Sequence, residues 1–297
     1  MESPASLINK IISVSLLDPR IDAVILTGSR GREQQIDHYS DIDIELVGSG
    51  VTALFHDQQW IHQFGQPLVA LHLTNGGENE PECPTCLAIY EQGRKVDFTF
   101  AEPSRLQKMK QYGLDNTYAR GYTILLDKSG ITDNLPDSDQ VQLPPKQLSQ
   151  NKFTFIVNEF WYESHQVAIA LSRNELWSAW SRDVDMKNAL LTMLECYVSN
   201  KSKGQQDVWY HGRAYQQWMP EHIIQAMETL FDYRNAQQAA YSLHLLMKCF
   251  DEITVEVAQQ LNYTIDHTLG QRMQTLVVGM LQDNSLLPEG IWRDFTI

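Results

Sequence analysis

The stretch LTGSRGREQQIDHYSDIDIELV, residues 26–47, decides how the first half of the chain is interpreted. Two apolar runs enclose a Gly-Ser pair, a polar loop and two aspartates that are separated by one residue. Because side chains alternate between the faces of a strand, Asp41, Asp43 and Glu45 share one face, and the apolar residues between them share the other. We expect the apolar face to pack on helices and the acidic face to look out from the sheet.

A third aspartate adds to this pattern from a later strand. Asp97 lies in the middle of KVDFTF, on the face opposite Val96 and Phe98. Neighbouring strands lie about 4.8 Å apart, so Asp97 can join Asp41 and Asp43 around one or two divalent cations. Carboxylate oxygens are the ligands that Mg²⁺ prefers, and the cation removes their mutual repulsion. A D-x-D pair alone is common on solvated strands, so the joint order of these features is what predicts a metal site.

The Gly-Ser pair lies where a phosphate could bind beside this metal site. Gly28 and Ser29 follow the first apolar strand, and we expect a helix to begin there. Glycine permits close backbone approach, and the serine supplies a hydroxyl and an amide at the helix start. His38 lies close to the D-x-D pair, and we expect it to be a loop residue rather than a base.

The first half of the chain alternates short apolar runs with turns, which favours a small mixed sheet with helices packed on one side. Alternating apolar residues predict strands over 22–28, 41–48, 67–74, 86–92 and 94–102. The remaining pattern predicts helices over 52–65 and 103–113 and a hairpin turn at Gln92-Gly93.

A change in composition divides the chain. Residues 130–150 are rich in proline, aspartate and serine, and we expect them to form a linker. After the linker, apolar residues recur at three- and four-residue spacing, which predicts helices. The expected fold class is α+β, with a mixed sheet and helices over residues 1–145 and a helical bundle over residues 146–297.

Composition limits the classes of partner. The 297 residues include 43% hydrophobic and 20% charged residues, which is typical of a folded protein with a substantial core. The apolar runs are too short to span a membrane, and the N-terminus has the pattern of an amphipathic helix rather than a leader, so we expect a cytoplasmic protein. A net charge of −14 opposes nucleic acid and anionic membranes and favours cationic partners.

The four cysteines are too few for a disulfide scaffold. Cys83 and Cys86 form a lone C-x-x-C, whereas zinc normally takes a second pair of ligands. We expect this pair to lie in an exposed turn; metal or redox work is the less favoured alternative.

The motifs together resemble those of a known family. The order Gly28-Ser29, Asp41-x-Asp43 and Asp97 resembles the signature of the nucleotidyltransferase superfamily, whose fold is a small mixed sheet with helices. In the helical half, NEFWYESHQVAIALSRNELWSAW (residues 158–180), HGRAYQQWMP and VAQQLNY are similar to the aminoglycoside 6-adenylyltransferases, also called streptomycin adenylyltransferases. The similarity extends from about residue 5 to about residue 295.

The resemblance implies transfer of AMP from ATP, with Mg²⁺ as cofactor, to a hydroxyl of a polycationic aminoglycoside such as streptomycin, giving resistance to the antibiotic. Asp41 and Asp43 would hold Mg²⁺, and Asp97 would be either a third ligand or the general base. The groups that would position the phosphates are Gly28, Ser29, Arg30 and Arg213. We expect ATP and the aminoglycoside as the partners of a monomer or weak dimer.

The first predicted helix of the second half offers a candidate wall for the site. Asn158, Trp161, Tyr162 and His165 follow helical spacing on one face, and Glu159 lies beside them. Aromatic residues at this spacing are more often part of the core than of a binding wall. We expect Trp177 and Trp180 to be core residues for the same reason. Burying polar groups without partners is costly, so a face with polar residues suits the wall of a cleft. The predicted substrate-binding residues are Asn158, Glu159, Trp161 and Tyr162.

Two departures from the family pattern leave alternatives open. Arg213 occupies a position where the family typically has lysine, and residues 76–86 (GGENEPECPTC) form an inserted hairpin tip that could alter the choice of acceptor. One alternative is an adenylyltransferase that acts on another small amine or on a protein side chain. The other is a non-catalytic nucleotide-binding module of the same fold.

Overall fold

The computed structural model describes residues 2–33, 36–76, 82–91, 93–138, 144–208 and 211–291. The chain divides into two compact units, Met1–Leu143 and Pro144–Ile297. The first unit contains a mixed sheet with helices, and the second contains helices, so the predicted α+β class is confirmed. The described residues include no helix that is both long enough and apolar enough to cross a membrane.

A six-stranded sheet forms the centre of the first unit. Its strands are β1 (Ala23–Leu26), β2 (Ile42–Val47), β3 (Pro67–Asn75), β4 (Cys83–Tyr90), β5 (Lys95–Ala101) and β6 (Thr123–Asp127). They are ordered β3-β4-β5-β2-β1-β6, and only the β2–β5 pair among the described strands is parallel. The helices of this unit are α1 (Pro4–Leu17), α2 (Gly28–Gly31), α3 (Val51–His56), α4 (Pro103–Tyr112) and α5 (Asn116–Ala119).

Helices cover both faces of the sheet, so the predicted packing on one side only is wrong. Against one face, Leu7 and Ile11 of α1 pack in a cluster with the apolar residues of β2 and β5. Against the other face, Leu106 of α4 and Tyr118 of α5 pack on β1 and the ends of neighbouring strands. The prediction assumed strands with one apolar and one polar face. All four residues of β1 are buried, so this strand is covered on both faces and its residues do not alternate between apolar and polar.

Two local elements differ from the sequence prediction. The helix expected over 52–65 is two segments, α3 and a 3₁₀ helix over Trp60–Phe64. Helix α3 ends at His56, because the backbone of the next residue, Asp57, is not helical. Strand β6 was not predicted; it is a five-residue strand at the edge of the sheet, with mostly half-buried residues. The β4–β5 turn has the expected glycine with positive φ, Gly93, but Gln92 lies outside the described residues.

The C-x-x-C pair is part of β4, and the predicted exposed turn is wrong. Cys83 and Cys86 are both buried, and they pack in the clusters on opposite faces of the sheet. Burial raises the pKa of Cys86 to about 11 and also raises the pKa of Cys83. Two protonated thiols on opposite faces cannot share a metal ion or a disulfide. Residues 77–81 of the predicted insertion lie outside the described residues.

Within residues 144–208 and 211–291, the second unit has five longer helices: α6 (Gln150–Ser172), α7 (Leu176–Lys201), α8 (Glu221–Leu230), α9 (Ala236–Leu261) and α10 (Leu269–Asp283). Side-chain caps begin two of them: Ser149 accepts from the amide of Lys152, and Asn235 accepts from that of Gln238. In the core, the rings of Phe160 and Phe250 stack with centroids 3.6 Å apart.

The tryptophans at the start of α7 are not part of this core. Trp177 is 82% exposed and Trp180 is 49% exposed, so the prediction that they are core residues is wrong. Their rings contact each other with centroids 5.9 Å apart. Helical spacing identifies a shared side, but it does not tell whether that side faces the core.

Candidate active site

Three carboxylates converge on one face of the sheet. Asp41 immediately precedes β2, Asp43 lies in β2, and the parallel register places Asp43 directly beside Asp97 of β5. One ligand atom from each of the three side chains lies within 4.8 Å of the other two. This is a spacing at which one hard divalent cation can be bound by all three.

A lysine lies between two of these carboxylates. The Lys95 Nζ donates hydrogen bonds to Asp41 Oδ2 and to Asp97 Oδ2, each at 2.7 Å. Burial alone would lower the pKa of Lys95, but the two hydrogen bonds outweigh it and raise the pKa. The ammonium is therefore charged at neutral pH. The side chains of Lys95, Asp41 and Asp97 are 41%, 29% and 20% exposed, so solutes can reach the cluster.

Asp97 retains one carboxylate oxygen for a further contact. Burial raises the pKa of Asp97, although the hydrogen bond from Lys95 opposes this. Within the described part of the chain, its Oδ1 is buried and has no hydrogen-bond partner, and the same is true of Ser29 Oγ. Buried polar atoms are normally satisfied, so such atoms are expected where a ligand binds. The donor set of three carboxylates and a hydroxyl therefore fits a divalent cation with a phosphate.

A glycine turn supports this face of the sheet. Gly28 has φ +62°, in the left-handed region, and the Thr27 amide donates to the Asp43 carbonyl at 3.0 Å. A Cβ atom added to Gly28 would lie 2.0 Å from Asp43 Oδ2. Only glycine avoids both the backbone strain and this overlap. The close approach that the sequence predicted for Gly28 is thus made to the Asp43 carboxylate.

The Arg30 guanidinium contacts the segment that leads into β2. Its Nε donates to the Asp41 carbonyl and its Nη2 donates to the Ser40 carbonyl, both at 2.9 Å. His38 lies in the same loop, as expected, and its carbonyl accepts a hydrogen bond from Arg94 at 3.0 Å. Arg30 therefore holds the Asp41 backbone in position, and its contact with phosphate stays a prediction.

The acidic face is open only at one end, which corrects the expectation that Glu45 looks out with the aspartates. Glu45 is 3% exposed and accepts a hydrogen bond from the Tyr118 hydroxyl at 2.8 Å. Arg105 of α4 forms ion pairs with Glu45 at 3.2 Å and with Asp115 at 2.8 Å. Helices α4 and α5 thus cover this part of the face, and the buried negative charge of Glu45 is balanced.

The candidate substrate residues of α6 do not share one surface. Asn158, Glu159 and Tyr162 are exposed, and Tyr162 is 61% exposed. Trp161 is 3% exposed and packs in the helical core, with its ring 6.2 Å from that of Phe250. Trp161 was expected in a binding wall, but its packing in the core leaves no face of its ring exposed.

Arg213 is exposed in a turn between α7 and α8. Gly212 and Ala214, on either side of it, both have positive φ, and the Arg213 carbonyl accepts from the Trp218 indole at 3.0 Å. Trp218 also lines a cavity of about 340 Å³ within this unit, together with residues of the C-terminal half of α7. The turn therefore presents the Arg213 guanidinium to solvent.

Comparison with known proteins assigns the chain to a family. The family model described as streptomycin adenylyltransferase matches residues 1–279. The chain belongs to the streptomycin adenylyltransferase family. It is accordingly an enzyme of the nucleotidyltransferase class.

Several named proteins are similar to this member of the streptomycin adenylyltransferase family. An aminoglycoside 6-adenylyltransferase of Campylobacter jejuni is 24% identical over 268 residues, which are 89% of this chain and 91% of that protein. The protein of the same name from Bacillus subtilis (strain 168) is 26% identical over 180 residues, 59% of this chain and 62% of that protein. A crystal structure of an aminoglycoside 6-adenyltransferase from Bacillus subtilis aligns with a TM-score of 0.43 and 19% identity, covering 94% of this chain and 99% of that one.

Sequence reasoning missed two features of this streptomycin adenylyltransferase family member. Lys95 could have been found, because K-x-D places it two residues before Asp97 and therefore on the same face of β5. The contacts of Glu45 with Arg105 and Tyr118 had no local signal, since 60 or more residues separate the partners.

Proposed function

We propose that this family member transfers AMP from ATP to a hydroxyl of an aminoglycoside, with streptomycin as the first candidate, and that the reaction requires Mg²⁺ and gives resistance to the drug. The observation that carries the proposal is the convergence of Asp41, Asp43 and Asp97 beside the Gly28 turn. The activity named for the relatives supports the choice of acceptor.

In this proposal Asp41, Asp43 and Asp97 hold Mg²⁺. The bound cation would polarise the reacting phosphate of ATP and neutralise charge on the departing pyrophosphate. Ser29 donates its hydroxyl to a phosphate oxygen, because its Oγ is buried and has no hydrogen-bond partner among the described residues. Asp97 is a third ligand or the base that accepts the acceptor's hydroxyl proton; the raised pKa of this carboxyl suits a base.

The second unit is proposed to supply the remaining contacts. The exposed Arg213 guanidinium suits a phosphate group, and the exposed carboxylate of Glu159 suits a cationic substituent of the acceptor. Asn158 and Tyr162 add exposed polar groups on the same helix. In these terms, residues 1–145 are the nucleotidyltransferase domain and residues 146–297 bind substrate and nucleotide.

The test is label transfer from ATP labelled at the α-phosphate. The protein is incubated with streptomycin and Mg²⁺, and the labelled drug is separated from nucleotide; a parallel reaction contains EDTA. We expect labelled streptomycin only when Mg²⁺ is present. When the ATP is labelled at the γ-phosphate instead, we expect the released label in pyrophosphate and none on the drug. Asp43→Asn is expected to abolish transfer, whereas Asp283→Asn, an exposed aspartate at the end of α10, is not. Equal transfer by Asp43→Asn would overturn the mechanism.

A second acceptor class is favoured by one observation. Part of the predicted insertion, residues 76–86, forms the start of β4, and the register of this strand places Leu87 beside Asp97. A change in this hairpin can therefore alter the surface next to the candidate site. The same labelling reaction with other small hydroxylated amines tests it: label on one of them, with none on any aminoglycoside, would select this acceptor class.

A further inference from the structure

Lys95 occupies the position between two carboxylates that a divalent cation would be expected to take. One ammonium nitrogen lies 2.7 Å from Asp41 Oδ2 and 2.7 Å from Asp97 Oδ2. Asp97 lies in β5 and Asp41 immediately precedes β2, so the lysine bridges β5 to the segment that leads into β2. The bridge links two of the three members of the metal-binding cluster.

Strand geometry explains why the ammonium points in this direction. Lys95 and Asp97 share a face of β5, and the antiparallel neighbours of these residues on β4 are Ile89 and Leu87. On the other side of β5, the parallel partner β2 carries Asp43 beside Asp97. The positive charge therefore has apolar neighbours on one side and carboxylates on the other, and it turns to the carboxylates.

The charges explain why such a bridge is needed. Three carboxylates within 4.8 Å of one another repel strongly when partly buried, and one ammonium removes part of this repulsion. A divalent cation that binds the two oxygens this ammonium now contacts would be repelled by its positive charge. Lys95 and a divalent cation thus compete for the negative charge of the same two carboxylates.

We propose that Lys95 is the resident counter-ion of this site and weakens binding of a free divalent cation, so that the metal binds effectively only together with the nucleotide. Magnesium that binds together with a nucleotide also takes phosphate oxygens of the substrate as ligands, and these additional ligands offset the repulsion from the lysine. The inference rests on the metal site of the proposed function, and it assigns Lys95 a role as positioning residue.

The test measures metal binding without nucleotide or acceptor. The full-length protein is titrated with Mn²⁺, and free Mn²⁺ is followed by electron paramagnetic resonance. Lys95→Met is expected to bind Mn²⁺ roughly tenfold or more tightly than wild type, because the competing charge is gone. Lys108→Met, which removes an exposed lysine from α4, is the matched control and should bind as wild type does. Mn²⁺ binding by Lys95→Met that is no tighter than that of wild type overturns the proposal.

Two further variants keep the result interpretable. Lys95→Arg retains the positive charge and should bind Mn²⁺ as weakly as wild type. Lys95→Gln retains a hydrogen-bond donor without the charge and should bind Mn²⁺ more tightly, even if Lys95→Met fails to fold. A metal-free melting temperature of Lys95→Gln below that of wild type, recovered on adding Mn²⁺, is the accompanying signature; a temperature that Mn²⁺ leaves unchanged contradicts the proposal.

The metal site itself is tested separately by adding Asp43→Asn to Lys95→Gln. If this double variant binds Mn²⁺ as tightly as Lys95→Gln does, the three carboxylates are not the site and the proposed function loses its metal centre. If Asp43→Asn weakens binding but Lys95→Gln binds no more tightly than wild type, only the role of Lys95 is wrong.

Discussion

The Gly28→Ala substitution tests how the first turn of the site is built. Gly28 has φ +62°, where an alanine costs about 1 kcal/mol in backbone strain. Its new Cβ would lie 2.0 Å from Asp43 Oδ2 and 2.7 Å from Asp43 Cγ, against an ordinary contact of about 3.4 Å. The carboxylate must therefore move by more than about 1 Å, or the turn must shift by the same amount.

The size of the effect follows from this displacement. A reacting or ligating group displaced by about 1 Å costs about a hundredfold in rate. We expect Gly28→Ala to lower kcat/KM for adenylyl transfer by about that factor, and to lower the free energy of unfolding by about 1–3 kcal/mol. The rate is measured by transfer of labelled AMP to streptomycin, and the stability by urea denaturation.

A matched glycine separates backbone strain from the contact with Asp43. Gly113 ends α4 with φ +96°, and no described atom lies within 4 Å of where its Cβ would be. Gly113→Ala should lose about 1–3 kcal/mol of stability through backbone strain and keep its rate. If kcat/KM of Gly28→Ala stays within about threefold of wild type, the account of this turn is wrong.

Three further predictions concern stability. Arg105→Met leaves the buried Glu45 carboxylate without its ion pair and should lower the free energy of unfolding, measured by urea denaturation, by about 3–5 kcal/mol. Adding Glu45→Gln to this variant should restore part of the stability, and no restoration would contradict the pairing. Hydrogen bonds from the turn after β6 outweigh the effect of burial and lower the pKa of Asp127 to about 2. The ionised carboxylate therefore stabilises the folded protein fully above about pH 4, and this contribution is lost as the pH falls through about 2. Asp127→Asn should thus destabilise by about 1 kcal/mol at pH 7, allowing for solvent screening, and the difference from wild type should disappear near pH 2; a constant difference would refute this. Phe250→Ala removes the ring that stacks on Phe160 and should cost about 3–5 kcal/mol, and a loss below about 1 kcal/mol would show that the stack contributes little.

The sequence identifies the acidic strand because its signal is local. Alternation alone puts Asp41, Asp43 and Glu45 on one side of β2, and the same rule puts Asp97 opposite Val96. What alternation does not contain is the parallel register of β2 with β5, which is a long-range pairing. It also does not show that α4 and α5 cover Glu45.

The helical half was predictable as helix but not in its exposed surfaces. Spacing of three and four residues identifies a stripe, yet Trp161 is in the core while Trp177 is 82% exposed. Both belong to stripes that look alike in sequence, and the difference depends on which helix packs against each one. The exposed turn predicted for the C-x-x-C pair is also wrong. Pro84 suggested a turn, but it lies inside β4, and Cys83 begins this strand.

The proposed reaction depends on three carboxylates that hold a divalent cation beside ATP. The most direct measurement is the affinity of Mn²⁺ for the protein in the presence of a non-hydrolysable ATP analogue, compared between wild type and Asp97→Asn. The account predicts that Asp97→Asn weakens Mn²⁺ binding by about a hundredfold, because one of the three ligands loses its charge. Wild-type affinity in Asp97→Asn would contradict the account.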